Sequence, residues 1–277
     1  MKPVIKWVGG KGSVLPLFED LIKPYLNETN TFYEPFAGGL AVTLALQHPK
    51  TVVNDLNSEL INMYKVIRDE PEYLLADLRI HQRRHSDEYY YTIRNLDRYD
   101  SVFNQLTPVA KAARTIYLNK TCFNGLYRVN SKGYFNSPIG RTTSGKIPDI
   151  VQEELILEMS KFLKTVQFHN GHYADCLAGA AEGDVIFLDP PYDTDEAIKS
   201  DGFVGYQKEG WTRKDLEELK MICDELSIRG CKVILTNNDT EFVRELFKDY
   251  NFREIEVKRS INRDGNKRKG KELVIYN

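Results

Sequence analysis

Short apolar runs alternate with longer amphipathic stretches along this chain, a pattern that indicates an α/β fold. Val185-Ile186-Phe187-Leu188 is continuously apolar and of strand length, so it reads as a buried central strand. Other strand-like segments fall at Phe32, Thr51 to Asn54, Val166 to His169, Lys232 to Thr236, Phe252 to Lys258 and Leu273 to Tyr276. Helical spacing covers Ser13 to Leu21, Leu40 to Gln47, Ser58 to Asp69 and Thr212 to Arg229. A strand-poor region carries three amphipathic patterns, Glu72 to His85, Glu88 to Leu96 and Pro108 to Leu118. Pro71 and Pro108 serve there as helix start signals. Residues 119–148 are rich in Asn, Gly, Ser, Thr and aromatics, and predict a loop or hairpin. The pattern therefore predicts an α/β domain, 1–59 and 151–277, interrupted by a helical insertion over 60–150.

The apolar run at 185–188 leads directly into Asp189-Pro190-Pro191-Tyr192, where open α/β sheets place their ligands. These residue types suit methylation of an exocyclic amine, whose lone pair is conjugated into the base ring. Asp189 can accept one amino hydrogen and the Pro190 carbonyl the other, drawing the nitrogen towards tetrahedral geometry. Pro191 holds the segment extended. Tyr192 offers a face for an extruded base. Pro-Pro and Asp-Pro are also common turn punctuation, so the motif alone does not decide the matter.

A second motif, Tyr33-Glu34-Pro35-Phe36-Ala37-Gly38-Gly39, lies between the strand at Phe32 and a helical run. Strand, glycine turn and helix form the first half of a nucleotide-type site, and glycines let backbone approach a ligand closely. The G-x-G-x-x-G frame of a pyrophosphate cradle is absent. The next strand ends in Asp55, where an acid can accept from ribose hydroxyls. A glycine turn with a distal acid, and without a phosphate loop, suits S-adenosylmethionine; ordinary α/β turn chemistry is the alternative.

Six segments together resemble the Dam-type DNA adenine-N6 methyltransferases of the α group, the D12 class. They are Lys6-Trp7-Val8-Gly9-Gly10-Lys11, Glu34 to Gly39, Asn54-Asp55-Leu56-Asn57, Asn124 to Asn130, Phe135 to Arg141 and Asp189 to Tyr192. The resemblance implies a class I S-adenosylmethionine-dependent methyltransferase sheet with an inserted DNA-recognition domain. It further implies a cofactor site of Trp7, Lys11, Glu34, Phe36, Gly38, Asp55 and Asp189. The DNA contacts it implies are Lys6, Phe123, Asn124, Leu126, Arg128, Pro138 and Arg141, acting on double-stranded DNA. Phe123 stands where family members often carry a wedging tyrosine. Arg128 is the leading base reader, since arginine forked onto guanine O6 and N7 is the commonest specific contact. Leu126 and Pro138 suit a thymine methyl, Lys6 a first guanine, and the set implies GATC. A cytosine-N4 or RNA amine methyltransferase, or a non-catalytic DNA-binding relative, is the alternative.

Composition fits an intracellular enzyme, and the expected setting is the cytoplasm of a bacterial or phage-infected cell, with the enzyme acting as a monomer. There is no long apolar span, and KWVGGK begins too early to leave room for a signal peptide. The four cysteines have no CxxC spacing, which fits reduced thiols and no metal site. The net charge of −2 is unhelpful to a DNA binder until its distribution is considered. Ser101 to Pro148 contains no acid but carries Lys111, Arg114, Lys120, Arg128, Lys132, Arg141 and Lys146. Lys258 to Lys271 holds seven basic residues against one acid, Asp264. Such clusters are an electrostatic footprint for phosphate, or else a solvated charged face.

Other features carry less. Gly9 to Ser13 lacks the P-loop frame. His81 and His85 have zinc-compatible spacing, but an exposed helix face is the expected reading. Tyr89-Tyr90-Tyr91 is expected to pack, and Asn237-Asn238-Asp239-Thr240 resembles a family segment near the cofactor site.

Overall fold

The computed structural model describes residues 1–141, 147–194, 211–258 and 269–277. Its strands are β1 (Phe32–Glu34), β2 (Thr51–Asn54), β3 (Val166–His169), β4 (Val185–Leu188), β5 (Lys232–Asn238), β6 (Asn251–Lys258) and β7 (Lys269–Tyr276). They form one sheet in the order β3-β2-β1-β4-β5-β7-β6. β1 pairs parallel with β2 and β4, and β4 pairs parallel with β5. β7 runs antiparallel to both β5 and β6. This is the class I methyltransferase sheet expected above. The strand order reverses between β1 and β4, which is the switch point where α/β sheets bind ligands. Every residue of β1, β2 and β4 is buried, including the polar Glu34, Thr51 and Asn54, and β4 alone is continuously apolar.

The chain divides into two compact units. One comprises Met1–Gly10, Gly38–Gln47 and Asp55–Gly171, and so holds all of 60–150 together with flanking segments. Its helices are α1 (Ala41–Leu46), α2 (Ser58–Asp69), α3 (Pro71–Arg84), α4 (Asp87–Arg94), α5 (Asp100–Phe103), α6 (Pro108–Thr121) and α7 (Glu153–Leu163). Asn57 caps α2 by accepting from the Glu59 and Leu60 N–H groups, and Ser86 and Thr107 cap α4 and α6. Pro71 and Pro108 sit in the first turns of α3 and α6, as their sequence positions predict.

The other unit comprises Lys11–Ala37, His48–Asn54 and His172–Asn277. It adds α8 (Tyr173–Leu177), α9 (Arg213–Ile228) and α10 (Glu241–Leu246). Thr212 and Asp215 close a capping box at the start of α9. Leu216, Leu219, Cys223 and Leu226 of α9 pack with Leu188, Val233, Leu235 and Ile275 of the sheet in one apolar core. The helix expected over Ser13 to Leu21 is instead a series of 3-10 turns, Lys11–Ser13, Leu15–Leu17, Glu19–Leu21 and Lys23–Tyr25. Pro16 and Pro24 sit inside two of these turns and deny an α-helix its continuous N–H ladder.

Candidate active site

The parallel register of β4 and β5 builds the first part of the site. Leu188 lies opposite Leu235, so the next residues, Asp189 and Thr236, emerge side by side. Thr236 Oγ1 donates to Asp189 Oδ1 at 2.7 Å. Lys11, only 5% exposed, brings its Nζ to 2.9 Å from the same oxygen. Among the described residues, both of these contacts fall on Oδ1 of Asp189. Lys11 Nζ also lies 4.9 Å from the Tyr192 ring centroid. The Tyr192 hydroxyl donates to Glu272 Oε2 of β7 at 2.9 Å. Burial first, then the charges of Asp189 and Glu272, pushes the Tyr192 phenol pKa well above its ordinary value. The phenol is thus a neutral donor to Glu272, and Lys11 lies over its ring.

Asp193 anchors the far end of the motif. Its N–H donates to Asn237 Oδ1 at 2.9 Å, and its carbonyl accepts from Asn238 Nδ2 at 2.6 Å. Its carboxylate takes a two-pronged bond from Arg213, 2.9 and 3.2 Å, and another from Thr240 at 2.7 Å. Those hydrogen bonds lower its pKa against the opposing effect of burial. The segment 237–240, noted in the sequence for its likeness alone, therefore braces the exit from the Asp-Pro-Pro-Tyr motif. Thr236, Asp193, Arg213 and Glu272 were not anticipated from sequence. Pro190 is buried and Pro191 exposed. Glu34, 3% exposed, ends β1, and the Phe36 ring lies 5.0 Å from Tyr173 and 5.7 Å from Trp211.

Trp7, Gly38 and Asp55 meet in the other unit. Gly38 has φ +46°, and a Cβ there would stand 2.8 Å from Trp7 Cδ1, so only glycine fits against the indole. The Gly38 N–H donates to Asp55 Oδ2 at 2.8 Å, and Tyr64 donates to the Gly38 carbonyl at 2.7 Å. Asp55 Oδ1 accepts from the Asn57 N–H at 2.8 Å. Burial raises the Asp55 pKa, while those two N–H groups oppose the rise. Each carboxylate oxygen has two lone pairs and takes one such bond, so the partly exposed Asp55 retains acceptor capacity for hydroxyls.

The segment from Phe123 to Arg141 is organised by backbone bonds. Phe123 N–H donates to the Pro138 carbonyl at 2.9 Å, and Gly140 N–H to the Thr121 carbonyl at 2.7 Å. A Cβ on Gly140 would fall 2.6 Å from the Cys122 oxygen, so the two strands of chain touch there. Asn119, 1% exposed, ties this segment to Lys6: it accepts from the Lys6 N–H and donates to the carbonyls of Lys6 and Gly125. Lys6 thereby lies along Gly125, and both Asn124 and Gly125 adopt positive φ. Phe123 is 54% exposed, Pro138 is exposed and Leu126 half-buried. The exposed Arg128 donates through Nε to Asn136 Oδ1 at 2.7 Å. Arg141 pairs at the surface with Asp87, 2.9 Å.

Two sequence expectations change here. Arg114 does not join the basic footprint: it is 2% exposed and lies 2.8 Å from Asp97. His81 and His85 are not on an exposed face. His81 stacks on Tyr117 at 4.8 Å and hydrogen-bonds Tyr89, and His85 hydrogen-bonds Tyr117. Burial, assisted by Arg84, drops the His81 pKa to about 4. Residues 259–268 and Lys146 lie outside the described residues, so most of the C-terminal basic cluster is not described. Tyr89 and Tyr90 do pack, both against Tyr117. Lys120 is partly buried; desolvation, with Lys6 and Lys2 nearby and Asp149 opposing, lowers its pKa to about 8. Among the described residues no group of His, Cys, Asp and Glu could hold a metal ion, and no helix is long and apolar enough to cross a membrane.

Comparison with known proteins bears on this geometry. A type II methyltransferase of Lactococcus lactis subsp. cremoris, M1.LlaDCHI, is 38% identical over 280 residues, covering 100% of this chain and 95% of that protein. M.MjaIII, a type II methyltransferase of Methanocaldococcus jannaschii, is 33% identical, covering 100% and 99%. The DNA adenine methylase of Escherichia coli strain K12 is 30% identical, covering 98% and 94%. The model of the D12 class N6 adenine-specific DNA methyltransferases matches residues 7–261. With its methyltransferase sheet and the Asp-Pro-Pro-Tyr segment at the end of β4, the chain belongs to the D12 class N6 adenine-specific DNA methyltransferase family and is an enzyme acting on adenine in DNA.

Proposed function

We propose that the enzyme uses S-adenosylmethionine to methylate adenine N6 within GATC in double-stranded DNA, after flipping the adenine out of the duplex. The observation that carries the reading is the pinning of Asp189 and Tyr192. Lys11 and Thr236 hold Oδ1 of Asp189, and in this reading its Oδ2 accepts an amino hydrogen. The Pro190 carbonyl accepts the second, so the nitrogen pyramidalises and its lone pair is released from the ring. Tyr192, its hydroxyl tied to Glu272, presents a ring for the base to stack on. Unstacking the adenine costs a few kcal/mol, which stacking on Tyr192 offsets in part.

The cofactor supplies an electrophilic methyl group on sulfur. Asp55 fits its ribose hydroxyls, because both carboxylate oxygens keep a free lone pair after binding Gly38 and Asn57. Trp7, Lys11, Glu34, Phe36 and Gly38 are the further cofactor residues in this reading. Positioning and electrostatics then suffice for transfer. Residues 60–150 form the reading domain, with Phe123 as the wedge filling the vacated place in the stack. Lys6, Asn124, Leu126, Arg128, Pro138 and Arg141 contact DNA. The test is to treat plasmid with purified enzyme and digest it with nucleases that are blocked by, or require, methylated GATC. Protection at GATC supports the reading; methylated adenine found only in other sequences overturns the GATC assignment, and no methylated adenine overturns the reaction.

A further inference from the structure

The hairpin that carries Arg128 is held from outside its own ladder. Phe135 lies at its centre, bridged antiparallel to Val129. The Phe135 N–H donates to Asp97 Oδ2 at 2.7 Å, and the Phe135 carbonyl accepts from Arg98 Nη2 at 2.9 Å. Two consecutive side chains, in the 3-10 turn Asn95–Arg98, thus grip both polar groups of one residue. They also grip each other: Arg98 Nη1 donates to Asp97 Oδ1 at 2.6 Å. Beneath them Arg114 Nη2 stands 2.8 Å from Asp97 Oδ2, and its guanidinium donates to the carbonyls of Ile93 and Arg94. Asp97 is 8% exposed and Arg114 2%. A buried ion pair of this kind is weak evidence for stability; fixing one conformation is its better-attested use.

The residue next to Phe135 is Asn136. Its N–H donates to the Arg128 carbonyl at 2.9 Å, and its side chain accepts from Arg128 Nε. Whatever fixes the Phe135 peptide therefore fixes the direction of the Arg128 guanidinium. A bidentate contact to a base edge tolerates little angular error, because both N–H···O bonds weaken together as the fork turns. We propose that Asp97 and Arg98 are positioning residues for sequence discrimination, which clamp Phe135 so that Asn136 aims Arg128 at its base. This rests on the reading of Arg128 as a base contact given above.

The test uses full-length Arg98→Gln and Asp97→Asn enzymes, with Arg128→Ala as reference. Arg98→Gln removes the bond to the Phe135 carbonyl and leaves the buried Asp97–Arg114 pair intact, so it is the variant expected to fold normally. For each enzyme, kcat/KM is measured on a GATC duplex and on every single-base variant of it, along with the melting temperature and the cofactor Kd. The expected result is a five- to fiftyfold loss of discrimination in Arg98→Gln, at the base pair that Arg128→Ala also relaxes, with the cofactor Kd unchanged. A loss equal on all duplexes, or unaltered discrimination in a folded Arg98→Gln enzyme, overturns the clamp while sparing the role of Arg128. Wild-type discrimination in Arg128→Ala would remove the base contact itself, and the clamp with it.

Discussion

The segment after β4 and the segment from Phe123 to Arg141 are both irregular backbone, but they are held in opposite ways. After β4 the side chains proposed to act are themselves tied: Asp189 by Thr236 and Lys11, Tyr192 by Glu272. In the other segment the backbone is tied, through Pro138, Thr121, Asp97 and Arg98, while Phe123 and Pro138 project freely. Arg128 is intermediate, exposed but rested on Asn136. In the proposed reading, chemistry at one nitrogen needs atoms fixed to a fraction of an ångström, which suits side chains that are immobilised. Contacting a duplex, in the same reading, needs donors in a fixed order that can still seat themselves, which suits a segment whose main chain alone is immobilised.

The strongest challenge to this contrast is Asp189→Ala. It is expected to abolish methyl transfer, an effect of about 3 kcal/mol or more in comparable electrostatic sites, with the fold kept. Near-normal turnover in radiolabelled methyl transfer would refute the proposed role of the carboxylate. Asp55→Ala is expected to weaken S-adenosylmethionine binding by roughly 1–3 kcal/mol through loss of a charged acceptor. Unchanged affinity by calorimetry would make Asp55 a turn residue only. Glu272→Ala removes the carboxylate acceptor of the Tyr192 hydroxyl, and should lower kcat by an amount equivalent to about 1–2 kcal/mol in the barrier, with KM for the cofactor unchanged. A kcat equal to wild type would show that the acting side chains after β4 need no second tie.

The smallest effect expected is on acid stability. The folded His81 pKa, about 4, lies below the unfolded value of 6.5, so folding favours the neutral ring. That contribution is complete above pH 6.5 and is lost as pH falls from 6.5 towards 4. By pH 6 the loss is about 1 kcal/mol or less, and the lowered pKa of His85 acts in the same direction. Melting temperatures between pH 7.5 and 6 should fall less steeply in His81→Gln than in wild type. Equal slopes would mean that His81 does not titrate in this range.

How far the sequence reveals this depends on distance along the chain. α2, β2, β3 and β4 fall where their periodicity and caps predict, because those signals are local. Lys11–Tyr25 misled the reading: the apolar spacing is helical, but Pro16 and Pro24 break it into 3-10 turns. α7 has Glu153 and Glu154 in its first turn, yet lies in a stretch that sequence reading left without an element. The Asp189 to Tyr192 motif is a local run and was legible. Its supports were not: Thr236 and Glu272 reach it only through strand register, 47 and 80 residues away. Arg114 failed for a related reason. Counting charge along the chain cannot distinguish a surface cation from one that meets Asp97 in the interior.

The placement of β7 has a consequence for synthesis. It follows every other strand in chain order, yet inserts between β5 and β6 and pairs Glu272 with Asn238. Glu272 holds Tyr192, and Asn238 holds the carbonyl of Asp193. A ribosome must therefore translate past residue 272 before Tyr192 gains its acceptor. A chain that ends just before residue 269 carries the whole Asp-Pro-Pro-Tyr motif and lacks the strand that steadies it. The last strand in chain order thus supplies the acceptor for Tyr192, and the Asp-Pro-Pro-Tyr segment gains this support only once β7 is in place.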